Sequence, residues 1–307
     1  MTFLSILERI IPLYFVVVLG YIAGKKIGIR KENLAPLVVY LLTPLVVFSA
    51  VARVKFDLAH ALLPMMFLII SAGLCLVGYK LASIWFESPS KNILAFSAGN
   101  GNSGYFAIPI GMSIFGQDSF PVIVLCSLGF ILSEATVGFY LLARGHYSVR
   151  NSVIRVLKLP SAYGFLLGVA ANLFGLTWAD SVQEMFLNLR GAYSVLGMMI
   201  IGLAVADLKS WKVDWRFAGF ALSMKYIAWP VLVFLIIECD AATFQFFDPL
   251  MRRIVFFMST VPLAANSVAF ATLLKSEPEK TALAVLISTL LALLIVPLLN
   301  GLYTAWP

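Results

Sequence analysis

Apolar runs of about twenty residues follow one another along this 307-residue chain, and each is long enough to cross the ~30 Å hydrocarbon core of a bilayer as a helix. Short polar stretches separate them, among them "KKIGIRKE", "FESPSK", "GQDS", "RGHYSVRN", "LKSWKVDW" and "LKSEPEK". Ten spans are predicted, over about 5–24, 34–52, 61–85, 92–115, 120–143, 159–177, 190–207, 215–238, 252–274 and 280–301. Lipid offers no hydrogen-bond partners, so such runs must close their backbone bonds internally, as helices do. The fold class is therefore an all-α polytopic membrane protein. A soluble alternative fails on composition: 61% of the residues are hydrophobic and 12% charged, against about 25% charged in an average soluble domain. The first run carries Glu8 and Arg9 ahead of it and has no small-x-small cleavage site before Lys25, so it reads as a retained helix rather than a signal peptide. No linker is long enough for a separate soluble domain.

The basic residues set the predicted orientation. Loops after spans 1, 3, 5, 7 and 9 hold fifteen Lys/Arg: Lys25, Lys26, Arg30, Lys31, Lys80, Lys91, Arg144, Arg150, Arg155, Lys158, Lys209, Lys212, Arg216, Lys275 and Lys280. The opposite side holds six: Arg9, Arg53, Lys55, Arg190, Arg252 and Arg253. By the positive-inside rule the first group is cytoplasmic and both termini face outward, from an inner (cytoplasmic) membrane. The net charge of +7 thus belongs to topology, and no nucleic-acid partner is expected. Trp85, Trp178, Trp211, Trp215 and Trp306 fall near span ends, as an interfacial aromatic belt requires, whereas Trp229 lies inside span 8 and reads as packing. Cys75, Cys126 and Cys239 stand singly in apolar stretches and read as small core residues. The only histidines are His60 and His146, so neither a metal site nor a cofactor is expected. G-x-S-x-G, HExxH and a Walker A loop are absent, which argues against an enzyme or an ATP-driven pump.

The stretch "FSAGNGNSGYFAIPIG" contains Gly99-x-Gly101-x-x-Gly104, the spacing of a dinucleotide fingerprint, with Asp118 roughly 20 residues on. That fingerprint needs a strand before it, and these glycines lie in the middle of an apolar span. A different explanation comes from internal repetition. Pro12, Gly20 and Ala23 of span 1 recur at the same offsets as Pro160, Gly168 and Ala171 of span 6, and "AVARVKF" at the end of span 2 matches "AVADLKS" at the end of span 7. The matches lie five spans apart, which suggests a five-plus-five duplication. Five is odd, so the second copy enters from the opposite side, as in the inverted repeats of secondary transporters.

The duplication aligns span 4 with span 9. Both carry Asn-Ser and proline: Asn102, Ser103 and Pro109 in one, Pro262, Asn266 and Ser267 in the other. Proline removes a backbone donor, and clustered glycine (Gly101, Gly104) weakens a helix. Two helices interrupted at matching depth expose backbone groups that must be buried or line a wet cavity, and such breaks are the best sequence pointer to a transporter binding site. The bland alternative is a pair of packed, kinked helices. Glu134 in span 5 and Lys225 in span 8 are intramembrane ionisable residues and thus functional candidates. Lys225 either replaces a coupling cation, attracts an anion or carries a proton; the structural alternatives are an ion pair with Glu134 or a snorkelling lysine. Lys80 and Arg53 read as interfacial and Asp207 as a helix-end charge.

With "GNGNSGYFAIPIGMSIFG" and "MSTVPLAANSVAFATLLKSEPEKTALAVLISTLLALLIVPLL", the chain resembles the auxin efflux carrier family in its bacterial branch, within the bile acid/auxin/arsenite transporter superfamily. The resemblance runs nearly end to end and includes "LGYIAGKKIGI" and "YLLTPLVVFSAV". It implies ten helices as two inverted five-helix repeats, 1–150 and 151–307, with broken helices 4 and 9 crossing. It also implies a scaffold of helices 1, 2, 6 and 7, a transport domain of helices 3–5 and 8–10, elevator-type motion and a homodimer. Asn102 matches the substrate-contacting asparagine of the family, and Asn266, Pro109 and Pro262 carry over as crossover residues. Family members carry auxin, malonate or malate. The driving ion does not carry over, and the absence of a multi-carboxylate cation site leans toward sodium independence. The expected function is secondary transport of a small organic anion, with Asn102, Ser103, Asn266, Ser267 and Lys225 at the site. The alternative is a membrane-embedded sensor that binds a ligand without moving it.

Overall fold

The computed structural model describes residues 3–53, 58–116, 119–148, 150–151, 154, 160–207 and 212–305. Lys55, Asp118, Arg155, Lys158, Lys209, Trp211 and Trp306 lie outside the described residues. Among the described residues the chain is helical, with no strand beyond one isolated antiparallel bridge. In chain order the helices are α1 (Phe3–Ile22), α2 (Lys31–Val51), α3 (Leu58–Ala82), α4 (Ser90–Gly99), α5 (Ser103–Phe115), α6 (Val122–Arg144), α7 (Pro160–Leu173), α8 (Asp180–Ala206), α9 (Trp215–Ala242), α10 (Pro249–Thr260), α11 (Asn266–Leu274) and α12 (Pro278–Ala305). Six of these, α2, α3, α6, α8, α9 and α12, contain a stretch long and apolar enough to cross a membrane. The protein is therefore a multi-pass membrane protein. Large side chains such as Phe15, Ile69, Leu167, Phe174, Leu294 and Leu302 stand exposed on the outside of the bundle, which is the surface that lipid covers.

Local chemistry sets where the helices start and widen. Asp214 caps α9 by accepting from the Phe217 N–H, and Asp248 caps α10 by accepting from the Met251 N–H with Pro249 following it. Of five π-helical stretches among the described residues, three, Leu37–Leu42, Ser103–Ala107 and Met224–Ala228, end two residues before a proline (Pro44, Pro109 and Pro230), while Ala23–Ile27 and Glu134–Gly138 do not. Proline has no N–H for the carbonyl four residues back, and its ring crowds that carbonyl, so a wider turn relieves the conflict.

Close helix pairs use glycine. A Cβ on Gly202 of α8 would collide with the Val17 carbonyl of α1, and one on Gly20 of α1 would collide with Met199 of α8. In the α2–α7 pair, a Cβ on Gly168 would lie 2.8 Å from the Val51 Cβ, and one on Gly164 would strike the Pro44 carbonyl. Without the hydrophobic effect between helices in lipid, such backbone-to-backbone approach supplies the packing energy.

Four polar contacts gather the five basic loops on one face of the bundle. Lys31 Nζ pairs with Asp207 at 2.9 Å, Lys280 Nζ with Asp214 at 3.6 Å, Ser90 Oγ donates to Glu277 at 2.9 Å, and His146 Nε2 meets Ser276 Oγ at 2.6 Å. Asp207 thus ends α8 and holds a lysine, as a helix-end charge should. Two expectations need correction. Cys239 is exposed, because it falls on the outer side of α9, while Cys75 and Cys126 are buried. The seventh span begins at Asp180 rather than near 190, since the amphipathic stretch "DSVQEMFLNLR" continues the helix; Arg190 therefore sits inside α8.

Gly202→Leu is expected to lower the stability of the detergent-solubilised protein by about 1–3 kcal/mol through overpacking, whereas Gly219→Leu, whose Cβ would meet nothing within 4 Å, should leave the melting temperature nearly unchanged. Thermal unfolding followed by circular dichroism measures both.

Candidate functional site

The two interruptions face each other. Helix α4 stops at Gly99, Asn100 is extended (φ −108°, ψ 147°), and Gly101 pairs antiparallel with Leu263. Helix α10 stops at Thr260 with Val261 extended (φ −61°, ψ 149°), and α11 begins at Asn266. The Asn102 N–H donates to the Pro262 carbonyl at 2.8 Å, so each break supplies a partner to the other. Four further backbone groups at the breaks are satisfied by side chains. Asn100 Nδ2 donates to the Phe96 carbonyl (2.8 Å), Trp229 Nε1 to the Ala98 carbonyl (2.9 Å) and Ser71 Oγ to the Gly99 carbonyl (2.7 Å), while Ser288 Oγ accepts from the Leu263 N–H (3.1 Å). Unpaired groups cost several kcal/mol each in a water-free interior, which is why the C-terminus of α4 is wrapped by donors.

Asn102 starts the next half-helix. Its Oδ1 accepts from the Tyr105 and Phe106 N–H groups, both at 3.1 Å, and its buried Nδ2 has no partner. Pro109 stands on α5 beyond the π turn, away from the paired segments. Its effect reaches the site through the carbonyl it frees, that of Tyr105, which accepts a hydrogen bond from Ser194 Oγ of α8 at 3.2 Å. On the second break, Asn266 Oδ1 accepts from Tyr105 Oη at 2.8 Å and its Nδ2 donates to Glu134 Oε1 at 3.0 Å.

Gly101, Asn102, Ser103, Gly104, Glu134 and Asn266 line one small pocket of about 10 Å³, room for about a single water. Tyr105 and Tyr193, with ring centroids 4.3 Å apart, line it too, together with the apolar Ile131, Ala264 and Ala265. Lys225, Ser267, Pro109 and Pro262 do not line it. Lys225 is fully buried and packs against the same break from elsewhere: a Cβ on Gly101 would lie 2.6 Å from its Nζ. The ammonium sits 4.6 Å from the centroid of the Trp229 ring and 5.3 Å from that of Phe130, and has no hydrogen-bond partner. Neither the ion pair with Glu134 nor snorkelling describes it. Ser267 Oγ is likewise buried without a partner. The sequence reading missed Tyr193, Ser71 and Ser288, whose hydroxyls lie on other helices and follow no local motif. It passed over Tyr105, which stood next to Gly104 in the stretch already singled out. Trp229 packs as expected, and also donates to the α4 terminus.

A lipid-facing helical bundle that encloses a polar pocket at paired helix breaks has the make-up of a membrane transporter. The chain belongs to the membrane transport protein family, that of the auxin efflux carriers, which it matches over residues 5–149 and 144–300. It is also similar to an uncharacterized transporter of Methanocaldococcus jannaschii, with 22% identity over 305 residues covering 95% of this chain and 97% of that protein.

Ser71→Ala leaves the Gly99 carbonyl without its donor and is expected to cost about 1–3 kcal/mol. Ser83→Ala, which removes an exposed hydroxyl bonded to the Lys80 carbonyl, should cost little; chemical unfolding in detergent compares the two.

Proposed function

We propose that the protein is a secondary carrier of small organic anions, mono- or dicarboxylates of the malonate, malate or auxin-like kind, bound where the two interrupted helices meet. The observation that carries this reading is the mutual pairing of the breaks, which leaves the Asn102 Nδ2 buried and unpartnered beside the pocket. Half-helices α5 and α11 begin at the breaks, and their positive dipole ends favour an anion. Half-helices α4 and α10 end there, and their negative ends favour the Lys225 ammonium, which takes the place of a coupling cation. The pocket has room for about one water, so this reading requires it to widen around the substrate; Glu134 opposes a carboxylate there, and its protonation accompanies substrate entry.

The proposed architecture is ten crossings in two inverted five-helix repeats, 1–150 and 151–307. Its support is a mirrored contact. Gly20 of α1 packs on α8, and Gly168 of α7, its counterpart in the second repeat, packs on α2. The gathering of the loops after spans 1, 3, 5, 7 and 9 on one face supports the same count of crossings. In this reading α1, α2, α7 and α8 form a scaffold and the remaining helices an elevator-type transport domain. Two chains join through their scaffolds in the inner membrane, with the basic face cytoplasmic and both termini outside.

Proteoliposome uptake of radiolabelled malonate tests the function: flux above empty vesicles is expected, and binding without flux identifies a sensor instead. Asn102→Ala is expected to lower uptake at least about tenfold per folded protein, because a hydrogen bond to a charged partner is worth about 1.5–3 kcal/mol, while loss of its cap on α5 costs about 0.5–2 kcal/mol of stability; uptake per folded protein at the wild-type rate removes Asn102 from the site. Replacement of sodium by choline should leave uptake unchanged, and Glu134→Gln should flatten its dependence on a proton gradient. A sodium requirement would take away the role given to Lys225.

A further inference from the structure

Beside the small pocket lies a larger cleft of about 470 Å³, lined in part by Ile108, Met112, Ser113, Phe120 and Arg190. This volume is in the range that small-molecule ligands occupy. The cleft shares Gly104 and Tyr193 with the pocket at the breaks, so the two spaces meet at those residues. Arg190 lies ten residues into α8, roughly 15 Å along the helix. Its guanidinium is 4.5 Å from the centroid of the Phe120 ring, and its Nε and Nη2 are buried with no hydrogen-bond partner. Those two nitrogens form one of the fork edges that grip a carboxylate with parallel hydrogen bonds.

A second arginine deepens the imbalance. Arg53 lies 5.9 Å from the centroid of the Phe186 ring, one helical turn before Arg190 on the same face of α8, and its Nη2 is also unpartnered. The two cations act on each other electrostatically. Among the described residues no carboxylate pairs with either. Desolvated donors of like charge without an acceptor are costly, and an arriving anion removes that cost. The walls contributed by Ile108, Met112 and Phe120 fit the carbon skeleton of an organic acid better than a hydrated inorganic ion.

We propose that this cleft is an entry site, where Arg190 receives the carboxylate of an organic anion before the anion passes Tyr193 to the helix breaks. The assignment of the cleft as an entry route rests on the carrier reading above; anion binding by Arg190 does not.

The test uses the full chain in nanodiscs at low salt, with Cys239→Ser to remove the exposed thiol; Cys75 and Cys126 are buried. Ser113→Cys then places a reporter in the cleft, and Met112→Cys gives a second position if the first folds poorly. An anionic methanethiosulfonate is expected to label the reporter about tenfold faster than a cationic one, as a positive cleft requires. Arg190→Gln should abolish that preference and Arg190→Lys should keep it. Millimolar malonate should slow labelling, and should do so in Asn102→Ala as well. Labelling that ignores Arg190→Gln, no slowing by malonate, or protection that depends on Asn102 but not on Arg190, each overturns the proposal. Protection through Arg190 without any malonate flux would leave the anion site standing and remove the carrier reading, whereas flux without protection would do the reverse.

Discussion

The hydrogen bond from the Asn102 N–H to the Pro262 carbonyl is what allows two broken helices to exist inside this bundle. A single interrupted helix would strand its terminal N–H and C=O groups away from water. Two interruptions, placed opposite each other and linked by one antiparallel bridge at Gly101 and Leu263, remove part of that burden from both. Ser71, Trp229 and Ser288 from neighbouring helices, and Asn100 within the break itself, satisfy four further groups. The polar site is therefore a product of backbone accounting as much as of ligand chemistry, and its residues are fixed from several directions at once.

Charge is arranged around this junction in layers. Glu134 is tethered through Asn266 within the small pocket, Lys225 lies against Gly101 beside the mutually packed Phe130 and Trp229 rings, and Arg190 stands in the adjoining cleft. None of the three forms an ion pair among the described residues. Glycine at 101 matters for contact rather than for backbone freedom, since any side chain there would displace the ammonium. Glycine at 104 plays the same part toward the Tyr193 ring, 2.7 Å from its would-be Cβ.

Much of this was legible in the sequence, and the reasons for the gaps are specific. Most helix positions followed from hydropathy, the start of α8 excepted, because lipid enforces helical closure of apolar runs. The matched Asn-Ser and proline pairs located the two breaks, although the break in the first lies at Asn100–Asn102 rather than at Pro109. Proline there widens the turn before it, Ser103–Ala107, and does not break the helix at its own position. The start of α8 was misjudged because the helix begins with polar, amphipathic turns that a hydropathy window rejects. The hydroxyls of Ser71, Tyr193 and Ser288 were invisible for another reason: their significance comes from which carbonyl, amide or ring sits opposite, and that is decided by packing between distant helices.

The glycine contacts carry one more implication. Where α1 meets α8 and α7 meets α2, backbone touches backbone, and any sliding would drive carbonyls into Cα atoms. Where α8 meets the interrupted helices at Tyr105, side chains make the join: the Ser194 hydroxyl, a tilted pair of tyrosine rings, and the Tyr105 ring seated directly on Gly197. The molecule thus has one seam fastened by main chain and another fastened by side chains, and the second runs beside the polar pocket.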